Sequence, residues 1–97
     1  MADVRFEWDP RKSRSNRAKH GVTFEEAGSA FLDENARVIP DPVHSQDEER
    51  FVLLGMSIRL RVLVVCHCYR ESDDVIRIIS ARRADLAERR YYAEQLP

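Results

Sequence analysis

The apolar positions of this chain recur with two different periods, and the periods predict where its elements lie. In "DVRFEW", Val4, Phe6 and Trp8 alternate with charged residues, as in a half-buried strand. "DPRKSRSNRAKHG" supplies an Asp9 N-cap, Pro10 at the first helical position and Gly21 as a stop, which predicts a helix over about residues 10–20. Ala18 is almost its only apolar residue, so its order must come from its ends or from a partner. "TFEEAGSAFL" predicts a second helix, with Thr23 and Glu26 as a capping box and Phe24, Ala27 and Phe31 on one face. "ARVI" is a short strand ending at "PDP", and "HSQDEE" an exposed acidic loop.

"RFVLLG", "RLRVLVVCHCY" and "VIRIISAR" follow as three strands joined by short turns, for which an antiparallel meander is the economical topology. A last helix, over about residues 83–94, places Ala84, Ala87 and Tyr91 on one face. Helices segregated from a run of strands predict an α+β fold: a small antiparallel sheet of four to five strands, two N-terminal helices and one C-terminal helix, in one domain over 1–97. One sheet face should pack on helices and the other stay open.

Composition narrows the classes. At 97 residues and 43% apolar, the chain can bury one modest core. Its longest uncharged apolar run, Val62 to Cys66, is far short of a membrane span, and "MADVRFEWDP" lacks a signal-peptide segment, so no membrane contact and a cytoplasmic location are expected. Net charge is −1, but residues 1–20 carry six Lys/Arg against three Asp/Glu, residues 21–50 two against eight, and residues 77–97 five against three. Basic ends around an acidic middle can build a positive face.

"VLVVCHCYRE" places a histidine between two cysteines. On a strand His67 points away from Cys66 and Cys68, so the three cannot chelate together. The two sulfurs stand too far apart and are wrongly aimed for a disulfide. Zinc would need two more ligands, and His20 and His44 lie in unrelated segments. No metal or other cofactor is expected, and the cysteines read as apolar filler facing the core.

With Cys66 and Cys68 turned inward beside Ile78 and Ile76, the open face would carry His67 next to Arg77, with Tyr69 nearby and Arg61 further along. Such a set has no packing rationale and suits a bound phosphate: guanidinium forks match phosphate oxygens and an imidazole passes a proton near neutrality. Around it, Trp8 can stack on a base, and Lys12 and Lys19 can follow a phosphate backbone. His20 closes the first helix, and Arg82 and Arg83 begin the last, where cations oppose the helix dipole.

These segments also resemble a known family. "FEWDPRKSRSNRAKHGVTFEEA", "DP", "ERFVLLG", "VLVVCHCYRE" and "VIRIISARRADLAERRYY" are similar to the BrnT ribonuclease toxins over nearly the whole chain. The departures are Leu60, where the family favours glycine, and Cys66 and Cys68, where β-branched residues are commoner. The resemblance implies a RelE-like fold and metal-independent RNA cleavage. It also implies growth inhibition silenced by a cognate BrnA-like antitoxin, with operator DNA bound through that antitoxin. Trp8, Lys12, Asn16, Lys19, His20, Arg61, Arg77 and Arg82 are matching positions. On this reading a 2′-hydroxyl attacks the adjacent phosphate, with Arg77 and Arg61 stabilising charge and His67 carrying the proton. Tyr69 positions or acts as acid, His20 is the rival proton carrier, and Trp8, Lys12, Lys19, Arg82 and Arg83 hold RNA. The competing expectation is a binding module without chemistry, in which the basic face receives a protein or nucleic acid.

Overall fold

The computed structural model describes residues 4–41, 48–70, 74–94 and 96–97. Its elements run β1 (Arg5–Glu7), α1 (Pro10–His20), α2 (Phe24–Ser29) with a 3-10 turn (Ala30–Leu32), β2 (Arg37–Pro40), β3 (Phe51–Met56), β4 (Val62–Arg70), β5 (Val75–Arg83) and α3 (Leu86–Ala93). The order matches the α+β expectation. Most of the expected acidic loop lies outside the described residues.

The caps explain the helices. Asp9 accepts the Arg11 amide at 2.9 Å, Pro10 opens α1, and Gly21 closes it at φ 69°. Thr23 accepts the Glu26 amide at 3.1 Å, but the Glu26 carboxylate does not complete the expected capping box; it turns to Arg61 and Ser57 instead. The complete box is at α3, between Asp85 and Glu88.

The strands order β1-β5-β4-β3-β2. β2 to β5 form the antiparallel meander, while β1 joins β5 in parallel, which makes the sheet mixed rather than wholly antiparallel. β1 reaches only Val75 to Arg77, so the rest of that edge of β5 needs another partner. The Asn16 side chain supplies one: Nδ2 donates to Ala81 O at 2.8 Å and to Val22 O at 2.9 Å, and Oδ1 accepts the Ala81 amide at 3.0 Å. A helix with almost no apolar residues is thus anchored by one buried amide.

Phe24, Ala27 and Ala30 pack on Leu53, Leu63, Val65, Ile76 and Ile78, with Phe31 against them. Burying a side chain the size of Phe24 contributes about 2–3 kcal/mol. A smaller cluster of Leu54, Ala84 and Tyr92, joined by Met56, Val62 and Val64, lies on the other sheet face beside α3. The buried α3 residue is Tyr92 rather than the expected Tyr91.

The β4–β5 register corrects the sequence reading. Cys66 pairs with Ser80 but His67 pairs with Ile78, leaving Ile79 as a bulge, and Cys68 rather than His67 stands opposite Arg77. The expected pairing was off by one residue, and with a side-chain period of two a one-residue slip exchanges the faces. Leu63, Val65, His67 and Tyr69 therefore turn toward the helices, and Val62, Val64 and Cys66 turn away.

Candidate active site

The expected cluster of Arg61, His67, Arg77 and Tyr69 does not form. His67 is 0% exposed, its ring 4.8 Å from Phe31 and 5.3 Å from Tyr69. Its Nδ1 lies 3.1 Å from Val65 O; donating there leaves Nε2 to face the Tyr69 hydroxyl at 3.4 Å. Burial holds the imidazole below its ordinary pKa, so it stays neutral, as a packed ring does.

Arg61 also belongs to the helix side. Its guanidinium forks onto Glu26, Nε to Oε2 at 2.9 Å and Nη2 to Oε1, and reaches Gly21 O at 3.2 Å. Ser57 Oγ donates to the same carboxylate at 2.7 Å. Burial pushes the Glu26 carboxyl up, but the hydrogen bonds of Arg61 and Ser57 outweigh it and hold the group below its ordinary value. This network ties the β3–β4 hairpin to α2. Arg77 is the one member on the opposite face, where its Nη1 meets Glu7 Oε2 at 2.6 Å.

A different set converges. The end of α1, the residue before β3 and the bulged stretch of β5 border a cleft of about 320 Å³ on the helix-poor face, lined by His20, Asp41, Arg50, Cys66, Ser80 and Arg82. His20 and Arg82, from opposite ends of the chain, both line it. Both placements follow from packing: the Asn16 anchor fixes α1 one turn before His20, and the Ile79 bulge turns Ser80 and Arg82 to this face. Arg82 is held by two 2.8 Å hydrogen bonds to the Glu88 carboxylate, from Nη1 and Nη2, which raise its pKa further. Burial pushes the Cys66 thiol up, against the charge of Arg50, so Cys66 serves as a neutral wall rather than a thiolate.

The remaining candidates lie outside the cleft lining. Lys12 and Lys19 are exposed on α1 and Arg83 is exposed across from Leu63, while Trp8 is half-buried with its ring edge-on to Phe24 at 5.9 Å. Sequence reasoning missed Arg50. The signal was there: Arg50 has the strand parity of Val52 and Leu54, which line the open face. Among the described residues no three His, Cys, Asp or Glu side chains gather as metal ligands, and no helix is long and apolar enough to cross a membrane.

Fold and cleft define a small α+β protein with a cationic, histidine-bearing pocket on one sheet face. Residues 8–88 match the family model described as the ribonuclease toxin, BrnT, of type II toxin-antitoxin systems. Among solved structures the chain is similar to the Brucella abortus ribonuclease toxin BrnT, at 25% identity and a TM-score of 0.66, over 84% of this chain and 97% of that one. No curated protein matches it. The chain belongs to the BrnT family of ribonuclease toxins, and with that family come an antitoxin partner and an RNA target.

Proposed function

We propose that the protein is a metal-independent endoribonuclease toxin whose reaction takes place in the His20–Arg50–Arg82 cleft. The observation that carries this reading is the convergence of one imidazole and two guanidinium groups on an open, strand-floored pocket. The 2′-hydroxyl oxygen attacks phosphorus while His20 takes its proton, the bond to the 5′-oxygen breaks, and solvent protonates that leaving oxygen. Arg50 and Arg82 donate hydrogen bonds to the phosphoryl oxygens as charge builds on them. The products carry a 2′,3′-cyclic phosphate and a 5′-hydroxyl. DNA, without the nucleophile, is spared.

In the cell the cut would arrest growth in the cytoplasm until a BrnA-like antitoxin covers the toxin, and the complex would meet operator DNA through the antitoxin. Lys12 and Lys19 extend the positive rim along α1, where RNA backbone can lie.

The test is incubation of purified protein with a short RNA in EDTA, with mass spectrometry of the fragment ends. Cyclic-phosphate ends are expected at an undiminished rate, and His20→Ala or Arg82→Ala should lower kcat/KM by about a hundredfold or more. Full-rate cleavage by both variants would remove the cleft from the chemistry. Intact RNA with the wild type would leave a binding module.

A further inference from the structure

A second cleft adjoins the first. It holds about 240 Å³, has Ile39, Val52, Leu54 and Val64 as its floor, and is walled by Tyr91 of α3 with Arg37 of β2. Val52 and Val64 line both clefts, so an occupant of one sits directly beside an occupant of the other. Glu88 lines this second cleft as well, and it is the residue that holds Arg82 in the first.

We propose that this cleft seats the nucleobase next to the scissile phosphate and that Tyr91 and Arg37 determine which base is cut. The proposal rests on the reading of the first cleft as the phosphate site. Its chemistry is that of an unpaired base: an aliphatic floor for one flat face, and an aromatic ring with a planar cation for stacking and edge contacts. Tyr91 is 44% exposed, and the Arg37 guanidinium carbon lies 5.9 Å from its ring centroid, a cation–π pair lining a slot whose other residues, Glu88 apart, are apolar. Arg37 carries only donors, so the base it favours presents two adjacent acceptors, as guanine does at O6 and N7. A phosphate bound at Arg82 draws on the guanidinium that Glu88 now holds. Base and phosphate thus report to one carboxylate.

The experiment measures binding of 2′-O-methyl trinucleotides, which lack the nucleophile and cannot be cut, with the central base varied. The wild type should prefer one base, guanine. Tyr91→Ala should weaken binding by about ten- to a hundredfold, Tyr91→Phe should restore it, and Arg37→Ala should flatten the preference. Thermal melts of each variant establish that it is folded. Equal binding of all bases by the wild type, or unchanged binding by folded Tyr91→Ala, would overturn the subsite. So would loss of antitoxin binding in Tyr91→Ala with RNA binding intact, which would assign the slot to a protein side chain. If the wild type discriminates bases here yet cleaves no 2′-hydroxyl RNA, the nuclease reading fails and the subsite stands.

Discussion

The carboxamide of Asn16 grips both backbone groups of Ala81, donating to its carbonyl at 2.8 Å and accepting from its amide at 3.0 Å, as a neighbouring strand would. Asn16→Ala strips three buried backbone groups, the Ala81 amide and carbonyl and the Val22 carbonyl, of this partner and loosens the helix that ends in His20. Leaving them unpaired costs about 1–3 kcal/mol each. The variant should unfold at clearly lower urea, and its folded fraction should cleave more slowly. Wild-type stability with wild-type rate would show that another contact positions α1.

Arg61 is expected to matter for folding before chemistry. Glu26 is 5% exposed and is held by Arg61 and Ser57, with Arg59 at 3.9 Å, so Arg61→Ala takes the main partner from a buried carboxylate at a cost of about 3–5 kcal/mol at neutral pH. The sign with pH follows from the lowered Glu26 pKa: the stabilisation is present above the ordinary carboxylate value and is lost as pH falls through the lower, folded one. Urea midpoints at pH 7 and about pH 4 should therefore show the gap between wild type and Arg61→Ala narrowing in acid. A gap that widens would contradict the assignment.

Tyr92 donates to Asp33 Oδ2 at 2.5 Å, and burial together with that carboxylate pushes its pKa up to about 12. The neutral phenol is the form the fold favours, so its contribution is complete below pH 10 and disappears as pH rises toward about 12. A shift of this size corresponds to roughly 2–3 kcal/mol. Tyr92→Phe should melt lower than wild type at pH 8 but lose less on going to pH 11. Parallel melting curves across that range would count against the pair.

His67 should behave as a core ring. Truncation to alanine beneath Phe31, Phe51 and Tyr69 should cost about 3 kcal/mol or more by leaving a cavity. Because its pKa is lowered by burial, the wild-type protein should also lose stability as pH falls below the ordinary histidine value. RNA cleavage per folded molecule should be unchanged in a His67→Phe variant; a hundredfold loss there would return His67 to the chemistry.

Leu60 sits at φ 61° in the hairpin tip and is 79% exposed, so its side chain contributes little packing to offset a left-handed backbone. That conformation costs roughly 1–2 kcal/mol in a residue with a Cβ. Leu60→Gly should raise stability by about 1 kcal/mol, read from the urea midpoint, net of the freedom glycine gains when unfolded. A destabilised Leu60→Gly would mean that the leucine packs on something.

The element order was readable because each boundary has local chemistry: Asp9-Pro10 and Gly21 around α1, Thr23 before α2, and the alternation in "DVRFEW". The faces of the sheet were not. Val62 and Val64 are as apolar as Leu63 and Val65, so β4 offers two equally greasy sides, and only its pairing with β5 decides between them. Ile79 has no signature of a bulge: no glycine marks it, and the residue is as fit for a regular strand as Ile78. The cleft depends on that hidden step, which is why His20 and Arg82 were named separately while their place in one cleft was not foreseen.

One surplus residue at Ile79 thus divides β5 into halves with opposite orientation, the lower half committing its isoleucines to the interior and the upper half presenting a guanidinium to solvent. Deleting Ile79 would close the bulge and leave Arg82 opposite Val64 on its present face, whereas pairing β5 regularly with every residue kept would turn that arginine toward the helices. The positive charge in the cleft with His20 is thereby secured by an irregularity of the backbone, and a relative that keeps the residue count but pairs this strand regularly would have to find its cation elsewhere.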